Sequence, residues 1–574
     1  MEERLYSKNN LKFNKMFTAK KSTLLDAKKQ TSVVQNAFVN ASLKSAARTL
    51  SGNGALKFST TGNEFVNQFG SAGKYKEPRA YADIARDCSI LWEKSPLLSV
   101  MFIIYLRTIT RVVSLFNGLK TSVVQRGAGL KHEAITRMIW LHVNHQDAFW
   151  KNITLFISVG SWKDIIVMLS YDLQYNGWKD RVLNWDKMGA ILLAGLENPQ
   201  TSNLIKKYLP QIKANSKCTT LEAQADNMIA KWICSLLFGS KSDNPIVTYK
   251  LYRKLKVSGT AHQWQQLISK RKFLEIDFNT IHGKALAQLV SGKFITNNGL
   301  EAKYQAWIES KPIAKFTGYV HELFQKIPTQ KFQEDTLNKQ FYGLVETANN
   351  NANTNTGMIV VRDTSRSMGS IACGTKQTSY DIAKALALFF SYMLPDGAFA
   401  NSWIEFNSSA KMHQWKGSTP LEKWKNDTTS YVGSTSLQSV IDLFVQIKQA
   451  EVPENQFPSG IICISDGEFN PTVALNQTNV AAAFQKLRNA GFSRDYIDNF
   501  KIVLWNIPNS HYGTNTTVKF ETYGNVPNVF YFGGYDGAII SFLTGAKGQE
   551  TTPTNPEQLF QAAMDQEVIK MVEV

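Results

Sequence analysis

Residues 346–356, Glu-Thr-Ala-Asn-Asn-Asn-Ala-Asn-Thr-Asn-Thr, separate two stretches of the chain that differ in hydrophobic period. A polar, low-complexity segment of this kind has little to bury and reads as a linker. Ahead of it, from about residue 80 to 345, apolar residues recur at three- and four-residue spacing, the period of amphipathic helices. Behind it, short apolar runs alternate with helical patterns, the signature of an α/β sheet protein. A chain of 574 residues is too long for one core, so at least two domains are expected.

In the first part, the spacing predicts a helix from near Asn63, then helices over 81–113, 131–145, 147–158, 161–174 and 219–238. Further helices are predicted over 245–256, 261–269, 281–290, 298–309 and 313–325. No strict repeat period is visible. Many short helices in series still predict stacked pairs, an α-solenoid of HEAT-like type over residues 46–345. Residues 1–45, rich in Lys, Asn and Ser, predict a flexible basic arm, with a loose helix over 26–47 as the alternative.

In the second part, residues 357–574, the apolar runs Met358–Arg362 and Gly460–Ser465 read as buried strands. Asn401–Asn407 and Lys411–Trp415 suggest a hairpin, and Lys501–Asn506 and Asn528–Phe532 two more strands. Helices fall at 380–394, 436–448, 478–489 and 556–572. The alternation predicts a doubly wound sheet, with ligands at the carboxyl ends of its strands.

The charge is split the same way. The net formal charge is +18, yet residues 357–574 hold 16 Lys and Arg against 20 Asp and Glu. That leaves 48 against 26 in residues 1–356, a net of +22. A basic surface of this size invites a polyanion. Candidate phosphate contacts are Arg126, Lys131, Arg137, Arg253, Lys254, Lys256, Lys270, Arg271 and Lys272. Trp140, Tyr252, Trp264 and Phe273 lie among them and are candidates for base stacking. The plainer reading makes the cations solvated helix faces and the aromatics core.

Directly after the first strand stands Asp363-Thr-Ser-Arg-Ser-Met-Gly369. An acid followed by hydroxyls two and four residues on, at the carboxyl end of a strand, offers small hard oxygen ligands of the kind Mg²⁺ prefers. The pattern Asp-x-Ser-x-Ser resembles the metal-ion-dependent adhesion site (MIDAS) of von Willebrand factor A domains. The resemblance implies that Ser365 and Ser367 bind a divalent cation, Mg²⁺ or another, directly. It also implies that Asp363, Thr435 (in Gly433-Ser-Thr-Ser-Leu437) and Asp466 (in Ile464-Ser-Asp-Gly-Glu-Phe469) complete the shell. In that family an open coordination position accepts a carboxylate from a partner. The plainer reading of Asp363 and Asp466 is that they cap turns.

The first part contains Gln125-Arg-Gly-Ala-Gly-Leu-Lys-His-Glu-Ala134, Gly160-Ser-Trp-Lys-Asp-Ile165, Ala230-Lys-Trp-Ile-Cys234, Tyr249-Lys-Leu-Tyr-Arg-Lys-Leu255 and Glu275-Ile-Asp-Phe-Asn279, after the entry segment Ser51-Gly-Asn-Gly54. Together these segments resemble the TROVE module of Ro-type ribonucleoproteins. The likeness is closer to a sister family of plant, bacterial and large-virus proteins with the same two-part layout. It implies a helical ring closed by the second domain, binding structured small RNAs or single-stranded RNA ends.

No Walker loop, HExxH or GxSxG occurs, and hydroxyl ligands are poor substitutes for the carboxylate pairs of two-metal nucleases. His142 and His145, three apart on a predicted helix, could share a metal, but without an acidic partner nearby they read as surface or packing residues. The expectation is therefore a non-enzymatic RNA-binding protein, a ribonucleoprotein scaffold or RNA chaperone. The alternative is a protein-interaction module whose MIDAS captures an acidic residue of a partner, as in a viral or phage assembly. The five cysteines form no CxxC pair, and the longest apolar run, 97–106, is about half a membrane span. A cytoplasmic protein with no membrane segment is expected.

Overall fold

The computed structural model describes residues 61–72, 79–108, 127–259, 263–281, 283–316, 318–349, 357–373, 375–393, 399–429, 433–467, 469, 478–507, 526–535 and 553–574. It also gives the backbone of four short strands: β1 (Arg48–Leu50), β2 (Leu56–Phe58), β3 (Arg111–Val113) and β4 (Val123–Gln125). These form two antiparallel ribbons, β1 with β2 and β3 with β4. The expected basic arm and most of the linker lie outside the described residues.

The first part is helical and the second is a mixed α/β sheet. The single helix expected over 81–113 is two, Tyr81–Lys94 and Pro96–Arg107. Ser95 between them is extended and accepts a hydrogen bond from the Leu98 amide, and Pro96 takes the first helical position, where its missing N–H costs nothing. Helices Trp185–Glu197, Pro199–Tyr208 and Lys331–Asn349 lie outside the predicted set. The one expected over 313–325 shrinks to Val320–Leu323. No described helix is long and apolar enough to cross a membrane.

Two of the segments that carry the resemblance are structural joints. Asp164 is fully buried at the start of helix Lys163–Asn176; it accepts the Ser161 amide at 3.0 Å and pairs with Arg107 at 2.7 Å. Gly160 makes room for that pair. A Cβ there would lie 2.2 Å from Asp164 Oδ2 and 2.7 Å from Arg107 Nε. Gly160→Ala is therefore expected to destabilise folding by about 3 kcal/mol, the scale for disrupting a buried pair. Urea unfolding checks this, and an unchanged midpoint would refute it. Gly127 serves a similar purpose. Its Cβ would stand 2.3 Å from the Tyr105 carbonyl, while the amides of Ala128, Gly129 and Leu130 cap the end of helix Pro96–Arg107.

The second part is built on six strands: β5 (Met358–Asp363), β6 (Ser402–Phe406), β7 (Ala410–Gln414), β8 (Gly460–Ser465), β9 (Lys501–Asn506) and β10 (Val529–Gly533). Their order is β10-β9-β8-β5-β6-β7, parallel except for the β6–β7 hairpin. Alternate residues go to opposite faces. Val360, Ile462, Val503 and Phe530 pack toward helices Ser379–Met393 and Pro556–Met564, in a core that continues into the helical part. Val361, Ile404, Cys463 and Leu504 pack on the other face, toward helices Leu437–Gln449 and Asn479–Asn489.

Helix Ser379–Met393 lies between the sheet and the helical part, which explains an apolar pattern on all sides. The α/β part touches both ends of the helical part. Phe560 stacks on Phe65, and the Glu573 amide donates to Asn152. At the other end Trp424 stacks on Phe324 at 4.3 Å, the Leu421 amide donates to Asn338, and Lys425 pairs with Glu334.

Candidate metal centre

β5 and β8 are neighbours, but the chain leaves β5 toward β6 and β8 toward β9, in opposite directions across the sheet. In open α/β sheets such a reversal, beyond the carboxyl ends of the two strands, is the usual ligand position. Asp363 ends β5 and Asp466 directly follows β8.

Asp363 is fully buried. Its Oδ1 accepts the Ser365 amide at 2.8 Å, and its Oδ2 accepts the Ser465 hydroxyl at 2.5 Å. These bonds turn the chain so that the Ser365 and Ser367 hydroxyls stand 3.1 Å apart. A short 3-10 turn over Arg366–Gly369 follows, pinned by the buried Met368. Thr435 is buried in the loop before helix Leu437–Gln449, and that loop touches the motif where the Arg366 amide donates to Gly433 O at 3.3 Å. The Ser436 amide donates to Asn407 O, fixing the loop's far side.

Asp466 is 8% exposed, and its carbonyl accepts from Asn506 Nδ2 at 2.8 Å. Gly467 next to it has φ +83°, and a Cβ there would lie 2.4 Å from the same Asn506 nitrogen, so the turn requires glycine. Burial, and then the charge of Asp466, push the Asp363 carboxyl up to about 7. Asp363, Ser365 and Ser367 stand together, the charge of Asp466 acts on Asp363, and Thr435 lies in the adjoining loop; an all-oxygen set of this kind would suit a hard divalent cation, which would offset the crowding of negative charge. Among the described residues, no three His, Cys, Asp or Glu side chains converge as a metal cluster. Ser465 and Asn506, which support the two acids, are marked by no spacing rule. Their only signal is a polar residue ending a buried strand.

The candidate nucleic-acid residues divide. Arg126 lies outside the described residues. Arg137 is 1% exposed; it pairs with Glu133 at 2.9 Å, donates to Gln68, and lies over the Phe102 ring. It is a core residue, not a phosphate contact, because its helix packs on several neighbours and this face is the inner one. Lys256 is half-buried and donates to the Leu209 carbonyl, and burial lowers its pKa. Lys131 is half-buried at the start of its helix. Arg253 and Lys254 are exposed on helix Pro245–Gly259, and Lys270, Arg271 and Lys272 are exposed after helix Gln263–Ser269. Lys272 shares its charge with Glu275 at 2.7 Å. Trp140, Tyr252 and Trp264 are buried, so they are core and not base-stacking platforms; Phe273 is half-buried. His142 is buried against Phe149 and accepts the Asn184 amide, while His145 stacks on Trp92.

Residues 357–571 match the model of a family described as a domain of unknown function (DUF7788). No curated protein matches the chain.

Proposed function

We propose that the second part is a von Willebrand factor A-type domain with a MIDAS, and that the protein is a non-enzymatic binding protein. The observation that carries this reading is the placement of Asp363, the Ser365–Ser367 hydroxyl pair and Asp466 at the strand reversal. Ser365, Ser367, Thr435, Asp363 and Asp466 would hold Mg²⁺ or a similar cation. When bound, the cation supplies a Lewis-acidic position for a carboxylate of a partner. The chain's own residues orient the site: Ser465 and the Ser365 amide hold Asp363, and Asn506 holds the turn of Asp466. A hydroxyl-rich set favours holding a ligand over cleaving one.

A second reading, compatible with the first, is that the helical part is a TROVE-like, HEAT-like solenoid that binds RNA as a scaffold or chaperone. The net charge of +22 ahead of residue 357 favours it. No disulfide joins the described cysteines, in keeping with a reducing, cytoplasmic setting. Calorimetric titration with Mg²⁺ and Mn²⁺ tests the centre. One saturable site is expected, absent in Asp363→Ala, together with cation-dependent capture of acidic partner proteins. Wild-type protein without such a site would overturn the reading.

A further inference from the structure

We propose that Arg362 is a positioning residue of this centre, fixing Asp427 and Thr429, which precede Thr435 in the chain, against the strand that carries Asp363; the inference rests on the cation reading above. A charged residue within a buried central strand needs a reason. Arg362 is fully buried. Its guanidinium lies 3.9 Å from the centre of the Trp403 ring. Nη1 donates to Asp427 Oδ2 at 2.6 Å, and Nη2 donates to the Tyr380 hydroxyl and to the Thr429 hydroxyl.

Asp427 and Thr429 stand eight and six residues ahead of Thr435 in the chain. They are tied to each other by the Thr429 amide and hydroxyl, both donating to Asp427 Oδ1. Lys384 closes the far side by donating to the Asp427 carbonyl. Beside Thr435, the Arg366 amide donates to Gly433 O and the Ser436 amide to Asn407 O. The metal motif is thus bonded from both of its flanks, through the Arg362 side chain to Asp427 and Thr429 and through the Arg366 backbone amide to Gly433.

Buried pairs add little net stability compared with apolar packing, and what a guanidinium adds is a planar fork that fixes two acceptors at once. Asp427 directly follows helix Pro420–Asn426, whose Leu421 amide and Lys425 side chain are held by Asn338 and Glu334 of the helical part. Arg362 therefore also ties the centre's geometry to the seat of the α/β part on the last long helix.

The test uses the full chain and the variants Thr429→Val, Asp427→Asn and Arg362→Lys. Two quantities are read: Mg²⁺ affinity by calorimetry, and amide hydrogen exchange of residues 433–436 without added cation. Circular dichroism verifies folding. Thr429→Val and Asp427→Asn are expected to weaken Mg²⁺ binding about tenfold or more, the usual effect of losing a partner behind the ligands. Exchange at 433–436 is expected to quicken in the same variants. Arg362→Lys, which keeps the charge but not the fork, should resemble them and not the wild type. If Arg362→Lys fails to fold, the other two decide. Folded variants with wild-type affinity and wild-type exchange would overturn the proposal. If the wild type binds no Mg²⁺, the cation reading falls, and unchanged exchange in Thr429→Val then overturns the positioning role as well.

Discussion

Raising the pH from about 4 to about 7 is expected to destabilise the cation-free protein, and Mg²⁺ is expected to restore it above pH 7. The cause is Asp363. In the unfolded chain its carboxyl titrates near 3.9. In the folded protein, burial and the nearby Asp466 push it up to about 7. Below about pH 4 both states hold the proton and the group has no effect on stability. Between the two values the folded state keeps a proton that the unfolded state has lost, so stability falls as pH rises. Above 7 both states are ionised and the loss is complete. At about 1.4 kcal/mol per unit, the loss is on the order of 4 kcal/mol. A cation competes with the proton, so its affinity should rise about tenfold per unit up to pH 7 and then level off. Asp363→Asn removes this titration together with its coupling to Asp466, while groups remote from the two acids are common to both proteins. Thermal unfolding of wild type and variant at pH 5, 6, 7 and 8, with and without Mg²⁺, is the measurement. The wild-type curve should slope downward relative to the variant, and only the wild type should respond to Mg²⁺. Parallel profiles would sink the prediction.

How far the sequence could be read depended on how each element is buried. β5, β8 and β9 are central parallel strands covered on both faces, so each is a continuous apolar run that stands out. Helix Lys331–Asn349 is harder to see, because its buried face includes Thr336, Asn338 and Gln340, which bond to other elements instead of repeating an apolar stripe. In the helical part, the pattern does not say which cations face outward. Arg137 and Arg253 are equally basic in sequence, yet one is paired in the core and the other is solvated. The centre shows the same limit. Asp363, Ser365 and Ser367 are legible because one turn supplies all three. Ser465, Asn506 and Arg362 are not, because they act through partners about 40 to 100 residues away.

That division of the cations leads to the other large expected effect. Replacing Arg253, Lys254, Lys270, Arg271 and Lys272 together with Gln should weaken binding of an RNA with a single-stranded tail by on the order of a hundredfold near 0.1 M salt. Each is exposed, so none carries the fold. Every phosphate of a single strand that is no longer neutralised should lower the slope of log affinity against log salt by about 0.7, so removing all five cations lowers it by about 3.5. Arg137→Met should behave in the opposite way. It takes the 2.9 Å partner from buried Glu133, which keeps Arg79 at 3.5 Å, and should cost about 2 kcal/mol of folding stability while leaving the salt slope of the folded protein unchanged. Filter binding at two salt concentrations, beside urea unfolding of each variant, separates a surface that touches RNA from a core that positions it. Wild-type affinity that ignores salt, or a five-site variant that binds as the wild type does, would overturn the RNA reading of the basic half and leave the proposed cation centre as the candidate binding site.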